Sequence, residues 1–295
     1  MKEEFDFYSK TSLKSYNLNE KIRYQLKMLD SLDAFTRRHS ENVANITCRL
    51  CEYLKMSEGF TIYCTTCAYL HDVGKIFIPP AVLQKTGKLT DEEYEIMKSH
   101  TSIGYEICMK DEKLKPYAAG AYYHHEALNG SGYPNGLKAK DIPYEAQIIR
   151  VADEFEAISA KRQYKTHIGI IETLNILIEN TKLGKLDKKI LKALFKVVRD
   201  DTEYEIYCRE EYLKYLKQEI KRMEEAYKYF RKMDAAITNS KKEYYREYTV
   251  SYLKKNEKLE LVPQILEDLK NAYSLKKEHV DKLYSELHQI KRLVV

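Results

Sequence analysis

Five histidines and two aspartates within the first 153 residues stand in short, distinctive strings. His71 and Asp72 open HDVGKIFIPP, and His124 and His125 open HHEALNGSGYPNGL. His39 lies in TRRHSENVA, His100 in MKSHTSIG, and Asp153 in RVADEFEA. Imidazole nitrogen and carboxylate oxygen together form the ligand set of a borderline divalent metal such as iron, manganese or zinc. The set is too large for one ion and suits two ions that share a bridging carboxylate. Two metals a few ångström apart can activate a water and neutralise the non-bridging oxygens of a phosphodiester. Adjacent ligands such as His71 and Asp72 suit a helix end, where one side chain serves one ion and its neighbour bridges both. A single histidine such as His39 or His100 is more often a surface or core residue. The set in this order is not accidental.

The elements that must position these residues are helical. Apolar residues before Leu50 and Leu54, and around Tyr94, Met97, Ile103 and Ile107, recur at three- and four-residue spacing. No convincing run alternates apolar and polar residues. All ten glycines lie at or before Gly184, and five of the six prolines at or before Pro143. Glycine and proline interrupt helices, so the last third reads as long helices and the first 200 residues as shorter helices joined by functional loops. Two late segments carry heptad spacing: Leu213, Leu216, Ile220, Met223, Tyr227 and Phe230, then Leu266 to Ile290 with Lys276 as the polar fault. Such seams require a partner helix. An antiparallel hairpin within the chain is the simpler expectation, and a dimerising coiled coil or a protein partner is the alternative.

Composition excludes several classes. The chain is 44% hydrophobic and 32% charged, which supports a core and a polar surface. It contains no apolar run of membrane-spanning length, and its first residues, Met1 to Asp6, lack the apolar stretch of a signal peptide. The net charge of +5 is dispersed, which argues against a nucleic-acid duplex as partner. Six cysteines without an export signal point to reduced thiols and a cytoplasmic location. Cys48, Cys51, Cys64 and Cys67 have the spacing of a four-cysteine zinc site. They fall, however, within an amphipathic helix and the apolar helix leading to His71, where cysteine serves as a small hydrophobe.

HDVGK followed by HHEALNGSGYP resembles the HD-GYP family of phosphodiesterases, and the flanks LQKTGKLTDEEYEIMKSH and DIPYEAQIIRVADEFEAISAKRQYK agree. The similarity covers about residues 30–200. It implies an all-α fold with an HD-domain helical bundle over 26–200; the short segment 1–25 precedes it, and the C-terminal long-helix extension over 201–295, read from the helical pattern, follows. The resemblance further implies that His39, His71, Asp72 and Asp153 hold one metal. Asp72, His100, His124 and His125 would hold the other, with Asp72 bridging; iron or manganese is expected, with zinc possible. Lys75 matches a lysine facing the substrate phosphate. Gly132, Tyr133 and Pro134 match the loop shaping the substrate mouth, and Arg162 and Lys165 match cations holding the distal phosphate. The implied activity is hydrolysis of cyclic di-GMP to the linear dinucleotide pGpG. The alternatives are hydrolysis of cyclic GMP-AMP or a cyclic-dinucleotide receptor whose catalysis has decayed; the complete set of seven ligands with Lys75 argues against decay. Some members carry a glutamate four residues before the first ligand histidine, which recruits a third metal. Here that position is Phe35, so two metals are expected, and with them a single cleavage.

Overall fold

Polar caps start the helices that lead into the candidate ligands. Ser57 accepts a hydrogen bond from the Phe60 amide at 3.2 Å. Thr90 accepts one from the Glu93 amide at 3.3 Å, while the Glu93 carboxylate accepts from the Thr90 amide at 2.7 Å. These side chains satisfy amides that a first helical turn leaves without partners. The computed structural model describes residues 34–159 and 168–293, without the side chains of Ala34 and Phe35. Among the described residues there are eleven α-helices, four short 3-10 turns and no strand.

The helices are α1 (Ala34–Tyr53), α2 (Glu58–Leu70), α3 (Pro80–Leu83), α4 (Asp91–Lys98), α5 (His100–Met109), α6 (Ala118–Tyr123), α7 (Tyr144–Ser159), α8 (Ile170–Lys182), α9 (Lys188–Asp234), α10 (Asn239–Ser251) and α11 (Val262–Arg292). The described chain divides at Val198 and Arg199 into two compact units, and α9 supplies residues to both. No described helix is long and apolar enough to cross a membrane.

In the first unit α1 packs against α2 and α7, α7 against α8, and α5 against α6 and the 3-10 turn Val73–Phe77. Leu50, Leu70, Ile148, Ile149, Leu174 and Leu194 are fully buried. Each such side chain contributes about 1.5–3 kcal/mol of burial free energy. Cys51, Cys64 and Cys67 are buried too, and burial raises the thiols of Cys64 and Cys67, so both stay protonated. Helix α2 ends at His71, whose amide still donates to the Ala68 carbonyl. The turn that follows lies against the start of α5 because residue 74 is glycine. A Cβ there would stand 2.0 Å from the His100 carbonyl oxygen, a distance no other residue tolerates. That close approach joins the strings around His71 and His100.

The second unit is an antiparallel hairpin of α9 and α11 with α10 near its turn. Ile206 and Leu213 meet Val280, Leu283 and Leu287; farther along, Met223 and Ala226 meet Val262 and Leu266. The two heptad seams therefore pack on each other within the chain. Lys276, the polar fault, is exposed. Arg222 grips both oxygens of Glu257 at 2.7 Å, a planar fork that fixes the chain entering α11.

Candidate metal centre

Seven side chains converge in the first unit. His39 comes from α1, His71 and Asp72 from the end of α2, and His100 from the start of α5. His124 and His125 follow α6, and Asp153 lies on α7. Their ligand atoms form three overlapping clusters, each within 4.8 Å: His39, His71 and Asp153; His71, Asp72 and His124; and His100, His124 and His125. Among the described residues, the clusters of this kind contain no cysteine.

Backbone carbonyls set the tautomers. His71 Nδ1 donates to the Ala68 carbonyl at 2.6 Å, and His100 Nδ1 to the Met97 carbonyl at 2.6 Å. His124 Nδ1 donates to the carbonyls of Gly120 and Ala121, each at 3.0 Å. A carbonyl only accepts, so each Nδ1 carries the proton and each Nε2 presents a lone pair to the centre. His100 Nε2 and His124 Nε2 face each other at 3.2 Å, two acceptors with no proton to share while both rings are neutral. His71 Nε2 and Asp72 Oδ1 are buried with no hydrogen-bond partner. Leaving such atoms unpaired costs about 1–3 kcal/mol each. A divalent cation satisfies every one of these lone pairs, so the donor set fits a metal.

Asp72 lies between the two groups of histidines. Its Oδ2 is 3.5 Å from His39 Nε2 and 3.2 Å from His71 Nε2. Its Oδ1 is 3.5 Å from His100 Nε2 and 3.9 Å from His124 Nε2. Each oxygen thus faces a different pair of imidazoles, as a bridging carboxylate must. Lys75 Nζ donates to Asp72 Oδ2 at 2.5 Å. Asp153 Oδ1 is 3.0 Å from His39 Nε2 and 3.9 Å from His71 Nε2.

The electrostatics keep most of this set ready to bind a cation. Burial lowers His100 to about 4 and His125 to about 3, and it holds His124 well below its ordinary value. All three are neutral near pH 7. Burial opposes ionisation of Asp72, but the charges of His71 and Lys75 outweigh it and hold the carboxyl well below the usual range. Asp153 is held low against burial by its hydrogen bond and charge interaction with His39. His39 differs from the other three. Burial would lower it, but hydrogen bonds to Asp153 and Glu156 and the charges of Asp153 and Asp72 raise it to about 9.

The loop after His125 folds back over the centre. The buried carboxylate of Glu126 accepts from the amides of Asn135 at 2.7 Å and Leu137 at 2.8 Å. A Cβ at Gly132 would meet the Ala127 nitrogen at 2.3 Å and the His125 carbonyl oxygen at 2.5 Å, so only glycine allows the approach. Tyr133, followed by a cis bond to Pro134, donates its amide to the His125 carbonyl and stacks its ring on His125 with centroids 4.7 Å apart. Arg150 donates to the same carbonyl at 2.8 Å. Gly132, Tyr133 and Pro134 therefore stand beside the candidate ligand set. Arg162 and Lys165 lie outside the described residues.

The motifs alone did not reveal several residues that organise the centre. Glu156 accepts from His39 Nδ1, and its other oxygen accepts from Asn42 at 2.9 Å. Glu156 lies one helical turn beyond Asp153, and Asn42 one turn beyond His39; that spacing was the available signal. Glu126, adjacent to the histidine pair, carried no signal of its loop-clamping role.

The family model described as HD domain matches residues 23–190. A cyclic di-GMP phosphodiesterase of Thermotoga maritima is 36% identical over 218 residues, 71% of this chain and 58% of that protein. The 3'3'-cGAMP-specific phosphodiesterase 3 of Vibrio cholerae is 35% identical over 58% of this chain and 37% of its own length. The cyclic di-GMP phosphodiesterase response regulator RpfG of Xanthomonas campestris is 40% identical over 47% of this chain and 37% of its own. The matches thus span 37% to 58% of the length of these three relatives. With an HD domain model matched over more than half its length, the chain belongs to the HD-domain family.

Proposed function

We propose that this chain is a metal-dependent phosphodiesterase of the HD-GYP type that hydrolyses cyclic di-GMP to linear pGpG, working in the cytoplasm. The observation that carries this reading is Asp72, whose two oxygens face different pairs of imidazole nitrogens. One divalent ion would be held by His39, His71, Asp153 and Asp72, and a second by His100, His124, His125 and Asp72. Iron or manganese suits this imidazole-rich set, and zinc fits its chemistry as well. When bound, such a pair supplies Lewis acidity and an acidified water for attack at phosphorus.

The protein's own groups do the rest. Glu156 and the backbone carbonyls hold the imidazoles in the ligating tautomer. Lys75, beside Asp72, neutralises the reacting phosphate. Tyr133 and Pro134 bound the mouth, and Arg162 and Lys165 hold the phosphate that does not react, with the Arg162 guanidinium gripping two oxygens. Phe35, four residues before His39, offers no ligand for a third metal. The reaction therefore stops at the linear dinucleotide. A second reading, hydrolysis of cyclic GMP-AMP, is favoured by the names of several relatives.

The test is to strip the chain with a chelator, reload it with manganese or ferrous iron without air, and offer both dinucleotides. Two metals per chain and accumulation of a linear dinucleotide are expected. Asp72→Ala should abolish turnover with little change in helical circular dichroism. Near-normal turnover of Asp72→Ala, three metals per chain, or rapid release of mononucleotides would overturn the reading.

A further inference from the structure

We propose that Tyr94 and Lys98 form a guanine subsite at the edge of the metal centre. The base stacks on Tyr94, and the Lys98 ammonium donates to its O6 and N7. The inference rests on the cyclic di-GMP reading above and names the residues that hold one of its bases.

Helix α4 carries both residues at i and i+4, on one face. The capping box of Thr90 and Glu93 anchors the helix start, and three acidic residues in the first turn complement its dipole. No residue of α4 is buried, so the helix does not exist to fill the core. Tyr94 is 48% exposed yet engaged. Its ring meets Tyr133 edge-on with centroids 6.4 Å apart, and Tyr133 in turn stacks on His125. An aromatic path thus runs from the ligand set through Tyr133 to a ring open to solvent. Lys98 Nζ lies 5.2 Å from the Tyr94 centroid and 5.8 Å from that of Tyr133. Its other partner is Glu95 at 2.6 Å, and Glu95 is largely exposed. Such surface pairs are weak, so an acceptor on a ligand can replace the carboxylate.

The chemistry selects the base. The Tyr94 ring is a stacking platform for a nucleobase once the Lys98 ammonium over its face swings on its flexible stem to the base edge. An ammonium group donates and never accepts. Guanine presents two adjacent acceptors, O6 and N7, on the edge that lysine reads, whereas adenine pairs one acceptor with an amino donor. Lys98 therefore favours guanine over adenine at this position.

The full metal-loaded chain is assayed with cyclic di-GMP, cyclic di-AMP and methyl p-nitrophenyl phosphate, a diester without a purine. Binding is measured with slowly hydrolysed phosphorothioate analogues of the two dinucleotides. Tyr94→Ala should weaken cyclic di-GMP binding about tenfold or more, while Tyr94→Phe, which keeps the ring, stays within about twofold. Turnover of the purine-free diester should be unchanged in both. Lys98→Met should reduce a preference of about tenfold for the guanine dinucleotide towards equality. Unchanged affinity in Tyr94→Ala overturns the subsite. So does an equal loss of turnover on all substrates at unchanged affinity, which would mean that Tyr94 only braces Tyr133. A guanine preference that survives Lys98→Met overturns the assigned edge contact. If the parent binds the dinucleotide without cleaving it, the phosphodiesterase reading fails while the affinity series still decides the subsite.

Discussion

Metal uptake by this centre should displace one proton from His39, and pH is the perturbation that reveals it. His100, His124 and His125 are pushed down by burial, and Asp72 and Asp153 are held low by their cationic neighbours. Of these groups and His39, only His39 carries a displaceable proton near neutrality, because Asp153 and Glu156 raise it to about 9. Below that value an incoming cation must expel the proton from Nε2. Apparent affinity then rises about tenfold per pH unit and levels off near pH 9. From pH 7 to the plateau this amounts to about 2.7 kcal/mol, at 1.36 kcal/mol per unit. The same shift stabilises the metal-free chain. The folded-state value lies above the ordinary 6.5, so that contribution is complete below pH 6.5 and is lost as pH rises through about 9. Glu156→Gln keeps the shape but removes the carboxylate hydrogen bond that helps raise His39, which should shift the plateau to lower pH. At pH 9 the variant should bind manganese about 10- to 100-fold more weakly, because the ligating imidazole loses its carboxylate partner. The assay is isothermal titration of manganese into chelator-stripped protein under argon, in two buffers of different ionisation enthalpy. A proton count of about one at pH 7 is expected. A count of zero, or an affinity independent of pH between 6 and 8, would refute this account of His39.

Two further predictions address the loop and the second unit. Gly132→Ala places a methyl group 2.3 Å from the Ala127 nitrogen, so the loop must move off the histidine pair; turnover should collapse while bound metal, counted by plasma spectrometry, is retained. Met223→Ala empties a fully buried position between α9 and α11 and should cost the chain about 2–5 kcal/mol in denaturant unfolding. Metal content should not change, because all seven candidate ligands precede α9.

Local features of the sequence determined the helical class, the candidate ligand set and the two heptad seams. Helical periodicity, cap residues and the scarcity of glycine after Gly184 act over a few residues and are legible without a fold. So are the His-Asp and His-His pairs, because adjacent ligands remain adjacent in any conformation. Tertiary structure decided which groups face which. The near-contact of His100 and His124 depends on the packing of α5 on α6, and the approach of the His71 turn to His100 depends on Gly74. The protonation of His39 depends on Glu156, which lies 117 positions away in sequence and is brought beside it by the packing of α1 on α7. Tyr94 and Lys98 gained a role only when the glycine loop carried Tyr133 against them. Pairing of the two seams within one chain, rather than between chains, was likewise open in the sequence, since a heptad pattern specifies a face and not its partner. Burial sets the remaining property, the charge state of each ligand. A pKa depends on the solvent and the charges around a group, and a linear order of residues contains neither.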